Sequence, residues 1–374
     1  MKIALTYNLR PEPPGAGQQV AEETCEFDTE RTVGAMAAAL AAEGHEIVLV
    51  EARPDAAARL AALRPDFAFN VAEGLRGADR EAQIPALLEL LGIAYTGPGP
   101  WCAATTLDKR RTKEVLAQHG IPTPAYAYAG RPADLRGWRR FPAIVKPVGE
   151  GSSKGIWQSN VVTNAAALRR RTSELIEGYR QGVMVEEFID GREFTAGMLG
   201  NDPRVILPLA EVVFPTLPPG TWPIDSFEAK WVWNGQGPWR APRLECPAHV
   251  SSRLRRRIAS SAAAAFASLD CRDLARLDLR VSADGTPYVL EVNALPGLIA
   301  DVSEESRFPY MARRIGLDYP DLVRTILHTA MQRHGLPVPA GNGVLARART
   351  AVRSRPAGAG ALPAQVALGA GTSV

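Results

Sequence analysis

The first 95 residues alternate short apolar segments with segments of helical periodicity, and no other feature of the sequence restricts the fold as strongly. Apolar segments typical of buried strands cover residues 2–8, 46–51, 67–71 and 93–95, with predicted helices at 33–43 and 84–91. Strands that alternate with helices at this spacing form a parallel sheet with helical crossovers. We therefore predict an N-terminal α/β domain that ends in the turn-rich segment 96–100.

The chain after residue 100 mixes strands and helices in a less regular order. The predicted elements are a helix at 107–119, strands at 141–146 and 183–188, and a Gly/Ser-rich loop at 149–155. They continue with strands at 193–200, 205–213, 274–281 and 287–292, a Pro/Trp-rich loop at 214–245, and helices at 251–269 and 319–332. Residues beyond 336 have no periodicity, which predicts a disordered tail.

Charge and composition exclude several classes of protein. The 43 basic and 40 acidic residues give a formal net charge of +3 without a basic stripe, so nucleic acid is not an expected partner. The sequence has no signal-peptide pattern, and no apolar run approaches the roughly 18 residues of a membrane span. The four cysteines are scattered without CxxC spacing, which argues against a disulfide framework or a zinc site. These features predict a cytoplasmic protein that does not contact membranes.

Two strand-like segments joined by Asp284-Gly285 predict a hairpin with polar side chains on one face. Side chains alternate along a strand, so Arg276 and Asp278 share a face of the first strand, and Glu291 and Asn293 share a face of the second. Pairing through the turn can bring Asp278 beside Glu291. Two carboxylates and an amide oxygen then form a magnesium site that leaves positions for phosphates. The alternative is a surface hairpin whose polar residues face solvent.

Three further segments are candidates for nucleotide binding. The segment KPVGEGSSKG, residues 146–155, is a strand-ending lysine followed by small residues whose backbone N–H groups can cover a phosphate, although it lacks the Walker A spacing. The segment 183–193 is an apolar strand that continues into acids able to bind adenine and ribose. Lys230 lies among tryptophans. The alternatives are a flexible turn, surface acids and an aromatic packing cluster, respectively.

The order and content of these motifs resemble those of the ATP-grasp superfamily, and specifically of its D-alanine–D-alanine ligase branch. The resemblance runs from about residue 70 to 330 and is densest in FNVAEG, YTGPGP, DKRRTK, IVKPVGEGSSKGI, VEEFIDGREFT, ARLDLR and LEVNALPG. It implies an α/β chain in which an N-terminal parallel-sheet domain precedes a two-lobed ATP-grasp domain of α+β type. The implied bounds are 1–100 for the N-terminal domain, 101–190 and 191–335 for the two lobes, and 336–374 for the tail.

The resemblance also implies roles for individual residues. Contacts to ATP are expected from Lys109, Lys146, Gly151, Ser152, Ser153, Glu186, Glu187, Phe188, Ile189, Glu193 and Lys230. Magnesium, or manganese in its place, is expected on Asp278, Glu291 and Asn293. Catalytic roles are expected for Arg276, which would stabilise the tetrahedral intermediate, and for Ser152 and Lys230. Substrate contacts are expected from Trp231, Gly297 and Ser306.

The chain departs from the family pattern on the amino-acid side. The usual N-terminal signature that binds the amine of the first substrate is missing, and Asp28 or Glu30 is the candidate for that role. Asn70 stands where a histidine is usual, and Trp231 stands where a tyrosine commonly follows the lysine of the lid. ATP binding is therefore predicted more firmly than the identity of the substrates.

The sequence predicts an ATP-dependent ligase that joins two small-molecule amino acids through an acyl phosphate. The first hypothesis is a D-alanine–D-alanine ligase of cell-wall synthesis. The alternatives are an ATP-grasp ligase with other amino-acid or peptide substrates, as in natural-product assembly, and a nucleotide-binding protein that has lost catalysis. A homodimer is also expected, since dimers are common among the relatives.

Overall fold

Three β-sheets follow one another along the chain in the computed structural model, which describes residues 1–11, 22–202, 204–229, 233, 242–302 and 306–338. The first sheet is parallel and the other two are antiparallel. The mixture of a parallel sheet with antiparallel sheets confirms the predicted α/β and α+β class. In the part of the chain that the structure describes, no helix is long and apolar enough to cross a membrane.

The N-terminal sheet has the order β2-β1-β3. Its strands are β1 (Lys2–Tyr7), β2 (Glu46–Glu51) and β3 (Phe67–Asn70), and its helices are α1 (Glu30–Ala41), α2 (Ala56–Leu63) and α3 (Gln83–Leu90). The parallel pairing confirms the prediction from the alternating pattern. The predicted strand at 93–95 is reduced to a single bridge between Ala68 and Tyr95.

The middle sheet has the order β4-β7-β5-β6. Its elements are α4 (Pro100–Leu107), α5 (Lys109–Gln118), β4 (Tyr126–Ala129), β5 (Ala143–Pro147), β6 (Val161–Val162), α6 (Ala165–Tyr179) and β7 (Val183–Glu187). The prediction of one helix at 107–119 was wrong, because Asp108 has an extended backbone that ends α4. Its side chain then accepts hydrogen bonds from the amides of Arg110 and Arg111 and so caps α5.

The C-terminal sheet has the order β11-β10-β8-β12-β13, with β9 also paired to β8. Its strands are β8 (Arg192–Leu199), β9 (Val205–Ile206), β10 (Ala210–Val213), β11 (Arg243–Glu245), β12 (Leu274–Val281) and β13 (Pro287–Asn293). The helices are α7 (Ser252–Ser268), α8 (Arg307–Arg313) and α9 (Tyr319–Arg333). The prediction of one strand at 205–213 was wrong, because Pro208 has no amide hydrogen and interrupts the pairing.

Helix α9 packs against the N-terminal part of the chain. Its Ile326 and Leu327 belong to the same buried apolar cluster as Met36 and Leu40 of α1. Helix α7 packs on the C-terminal sheet through Ile258 and other buried residues. These contacts hold the strands that carry the candidate active site. Residues 339–374, most of the predicted tail, lie outside the described residues.

Candidate active site

A cleft lies between the two antiparallel sheets. Strands β5 and β7 provide one wall, and β8, β12 and β13 provide the other. The predicted site residues that line it are Lys109, Lys146, Gly151, Ser153, Glu186, Glu187, Phe188, Ile189, Glu193, Asp278 and Glu291. Most of the residues predicted from separate motifs therefore come together in one place.

The β12–β13 hairpin has the predicted pairing of Asp278 with Glu291, which a β-bulge between Asp278 and Leu279 brings into register. Asp278 pairs with Glu291, and Arg276 pairs with Asn293. The Asp278 carboxylate accepts a hydrogen bond from the Thr195 hydroxyl at 2.6 Å. It also forms an ion pair with Arg276 at 3.0 Å. The amide nitrogen of Asn293 lies 3.4 Å from the same carboxylate.

The charge of Asp278 is fixed by its neighbours. Burial opposes its ionisation, but the guanidinium groups of Arg276 and Arg307 and the hydrogen bond from Thr195 hold the pKa of its carboxyl well below the usual range. Asp278 is therefore an anion at every physiological pH. Asp278 also lines the cleft, so its fixed negative charge is within reach of a cation bound there.

The donor set of the hairpin fits a hard divalent metal ion. Asp278 and Glu291 offer carboxylate oxygens, and Asn293 offers an amide oxygen if its side chain turns, which are the ligand types that Mg²⁺ accepts. Across the described ranges, no group of three or more His, Cys, Asp and Glu side chains forms a metal site. A metal here would accordingly depend on the two carboxylates, the amide and oxygens from a bound nucleotide.

Arg307 is a site residue that the sequence analysis missed. It begins α8 and lies 3.4 Å from the Asp278 carboxylate, and it also pairs with Asp225. Its side chain lines the cleft beside Glu193. Arginine is so frequent in this chain that no sequence signal separates Arg307 from the surface arginines.

A buried lysine–glutamate group forms the floor of the cleft. Glu186 lies 3.2 Å from Lys146 and 3.5 Å from Lys113, which is fully buried and donates to the Thr123 hydroxyl at 2.6 Å. Burial lowers the pKa of Lys113 to about 8, although Glu186 opposes the shift. The two lysines in turn hold the pKa of the Glu186 carboxyl below its usual value against the effect of burial. No role was expected for Lys113 from the sequence.

The Gly/Ser-rich loop is held at both ends by the N-terminal part of the chain. The amide of Gly151 donates to Glu26 at 2.8 Å, and the amide of Gly155 donates to Glu22 at 2.6 Å. Ser152 and Ser153 have positive φ angles of 48° and 63°, a region that residues with a Cβ rarely adopt. Such strained residues cluster where backbone groups must face a ligand.

Three further hydrogen bonds join the Gly/Ser-rich loop to neighbouring parts of the chain. Lys109 donates to the carbonyl of Glu150, and the Ser153 hydroxyl donates to the carbonyl of Asp225 at 2.7 Å. Arg80 donates to the carbonyl of Gly149 at 2.8 Å and so adds a side-chain contact between the N-terminal part and the loop. The loop is consequently positioned by residues from all three parts of the chain.

The acids of the predicted adenosine site differ in their surroundings. Glu193 is buried and lies 3.1 Å from Arg280, which donates to the carbonyl of Ile189 at 3.0 Å. The Arg280 guanidinium also lies 4.8 Å from the ring centroid of Phe188. Glu187 instead pairs with the exposed Arg140 at 3.0 Å.

Two of the predicted substrate residues, Gly297 and Ser306, lie at or next to a second cavity, which we call the acidic cavity because Glu26, Asp28 and Glu73 line it. Gly297 also lines it, and the Ser306 hydroxyl donates to the Gly297 carbonyl at 3.0 Å.

Of the two candidates for the amine-binding acid, Asp28 lines this cavity, whereas Glu30 is exposed at the start of α1. Asn70 is a further wall residue. Lys230 and Trp231 lie outside the described residues.

Comparisons with known proteins agree with this arrangement. A family model described as the D-ala D-ala ligase C-terminus matches residues 116–328. The uncharacterised protein y4sG of Sinorhizobium fredii is 34% identical over 327 residues, covering 84% of this chain and 90% of that protein. A D-alanine–D-alanine ligase of Desulforudis audaxviator is 34% identical over 308 residues, covering 81% and 94%. The crystal structure of a D-alanine–D-alanine ligase of Bacillus anthracis has a TM-score of 0.68 at 25% identity, covering 90% of this chain and 99% of that one.

Proposed function

Because the chain belongs to the D-alanine–D-alanine ligase family of ATP-grasp enzymes, we propose that it joins two amino acids by a peptide bond through an acyl phosphate. It is an ATP-dependent carbon–nitrogen ligase that acts on small amino-acid substrates. The observation that carries the proposal is the ionised Asp278, which lies opposite Glu291 and beside Arg276 in the cleft. This arrangement places charged side chains of both signs in the cleft where the phosphates of ATP and the carboxylate of the first amino acid would react.

The proposed reaction follows from the chemistry of carboxylates. An amine cannot displace oxide from a carboxylate, so the oxygen must first be converted into a leaving group. A carboxylate oxygen of the first amino acid attacks the γ-phosphorus of ATP, and ADP leaves. The amine of the second amino acid then attacks the carbonyl carbon, and phosphate leaves with that oxygen. Both steps gain from positive charge fixed around the phosphoryl oxygens.

The residues of the cleft supply that charge. Arg276, 3.0 Å from Asp278, is placed to stabilise negative charge on the tetrahedral intermediate. Lys109, Lys146 and the backbone of Gly151 would contact the ATP phosphates. When bound by Asp278, Glu291 and Asn293, a divalent metal ion, for which we propose Mg²⁺, supplies further positive charge to the phosphate oxygens.

Other residues would orient the reactants. Ser152 and Ser153 would cover the phosphates with the loop, and Glu193 with the backbone of 187–189 would bind the adenosine. Since Glu186 lies between two lysines, we propose that it orients Lys146 toward ATP. Contacts of Lys230, Trp231, Gly297 and Ser306, the homodimer and the cytoplasmic location stay predictions.

The identity of the two amino acids is open between two candidates. D-alanine is favoured by the names of the relatives. Another pair of amino acids is favoured by the three carboxylates around the acidic cavity, since a single amine needs only one of them.

Phosphate release with ATP, Mg²⁺ and a panel of single and paired amino acids tests the proposed function. We expect release that requires amino acids and gives one ADP per peptide bond, because phosphate leaves only after the acyl phosphate reacts. Release with D-alanine alone identifies the first candidate, and release with another pair identifies the second. Measurable ATP binding without release for any pair would contradict the ligase activity and favour a binding protein.

A further inference from the structure

The acidic cavity lies between the phosphate-covering loop and the turn after β13. Glu26 lines the cavity and accepts a hydrogen bond from the Gly151 amide at 2.8 Å. Gly297 also lines the cavity, and its carbonyl accepts a hydrogen bond from the Ser306 hydroxyl. The cavity is therefore adjacent to the groups that would act on the substrates, but it is distinct from the cleft between the antiparallel sheets.

Three carboxylates line this cavity, and of the three only Glu26 forms an ion pair among the described residues. Glu26 pairs with Arg80 at 3.0 Å. Within the described residues, no ion pair joins Asp28 or Glu73 to a basic side chain. Burial raises the pKa of Asp28 to about 7, and burial with the nearby acids raises the pKa of Glu73 well above its usual value. Carboxylates in such surroundings gain most from a bound cation.

An unpaired donor lies in the same wall. Asn70 is only 3% exposed and lines the cavity. Its side-chain oxygen accepts from the Thr6 hydroxyl at 2.7 Å and from the Ala72 amide at 3.2 Å. Its side-chain nitrogen is buried and has no hydrogen-bond partner among the described residues. Buried donors are almost always satisfied, so this nitrogen indicates a ligand with an acceptor oxygen.

We propose that the acidic cavity binds a diamino acid as one of the two substrates, with its two ammonium groups on Asp28 and Glu73 and a carboxyl oxygen on Asn70. A single α-ammonium group needs one carboxylate, and Glu26 is already paired with Arg80. Two further carboxylates therefore call for a second positive charge on the substrate. The proposal rests on the proposed ligase function, since it names the substrate class of that reaction.

Matched pairs of amino acids test this specificity. Each pair differs only by an ammonium in place of a methyl group: 2,3-diaminopropionate and 2-aminobutyrate, 2,4-diaminobutyrate and norvaline, ornithine and norleucine, in both configurations. With ATP, Mg²⁺ and each panel amino acid as the second substrate, we expect kcat/KM to be at least about 10-fold higher for the best diamino acid than for its neutral partner. Equal or better use of the neutral partner by the wild-type chain, D-alanine included, would overturn the proposal.

Two variants locate the effect. Asp28→Asn and Glu73→Gln should each raise KM for the diamino acid about 30-fold or more, because each leaves one buried ammonium unpaired. Substitution of the carboxylate that holds the side-chain ammonium should change KM for the neutral partner little, whereas substitution of the carboxylate that holds the α-ammonium should raise both KM values. Glu46→Gln, which changes an exposed acid of β2, should leave both KM values unchanged. A preference for the diamino acid that survives both cavity substitutions would place its recognition elsewhere and contradict the proposal.

Stability measurements show whether Asp28→Asn folds. The pKa of Asp28 is raised from 3.8 to about 7 in the folded chain. Between about pH 4 and about pH 7, Asp28 is therefore protonated in the folded chain but ionised in the unfolded chain. The stability lost to this group therefore grows as pH rises from about 4 to about 7 and is constant above that. We expect Asp28→Asn to raise the Tm by about 2 °C or more at pH 8, and by less at pH 5.

Calorimetric binding separates failure of this inference from failure of the ligase function. If no pair releases phosphate, the ligase function fails, and binding of the same amino-acid pairs to the full chain still tests the cavity. Tighter binding of the diamino acid that is lost in Asp28→Asn or in Glu73→Gln would support the inference. Equal binding of both members of a pair, or binding of neither, would overturn it.

Discussion

Replacement of Asp278 by asparagine is expected to lower kcat about 1,000-fold, because the substitution removes the anion opposite Glu291 on which the proposed metal site depends. Asparagine keeps the shape of the side chain but carries no charge. Initial rates of phosphate release at saturating ATP and amino acids measure the effect, and thermal unfolding checks that the variant is folded.

The hairpin offers its own control for this substitution. Asp284→Asn makes the same chemical change in the exposed turn, where Asn-Gly is as favourable as Asp-Gly. Its kcat should stay within about twofold of the wild-type value. If Asp278→Asn also kept a rate within tenfold of wild type, the assignment of Asp278 to the metal would be wrong.

Replacement of Arg276 by methionine is expected to lower kcat by about 100- to 1,000-fold with little change in KM for ATP. The guanidinium lies beside Asp278 rather than among the residues assigned to ATP, so its loss should affect the charged intermediate more than nucleotide binding. Steady-state kinetics with each substrate varied in turn separate the two parameters.

Arg253→Met serves as the control for charge and size, since Arg253 is exposed near the start of α7. We expect its kinetics to equal those of the wild type. A rise in KM for ATP at constant kcat in Arg276→Met would instead assign Arg276 to nucleotide binding.

The parts of the site that were predictable from the sequence are those fixed by local pattern. Strand alternation and the Asp284-Gly285 turn predict the hairpin and the polar face that its strands share. The exact pairing of Asp278 with Glu291 also depends on a β-bulge next to Asp278, which the sequence did not indicate. The alternating N-terminal pattern likewise predicted the parallel sheet. In both cases, contacts between neighbouring segments of the chain decide the outcome.

The parts that escaped prediction depend on contacts between distant segments. Lys113 in α5 meets Glu186 in β7 only after the middle sheet has formed, and the Gly151 amide meets Glu26 across the chain. Arg307 reaches Asp278 because α8 begins beside β12. The break between α4 and α5 also escaped prediction, because it depends on the extended backbone of Asp108 and not on the apolar periodicity.

The transfer of ¹⁸O from substrate to phosphate tests the central claim most directly. The best amino-acid pair of the panel is supplied with both carboxylates labelled with ¹⁸O, and the released phosphate and nucleotide are analysed by mass spectrometry. The acyl-phosphate route predicts one ¹⁸O atom in each phosphate and none in ADP, since the carboxylate oxygen leaves with the phosphoryl group. Unlabelled phosphate, or ¹⁸O in AMP, would contradict the proposed reaction.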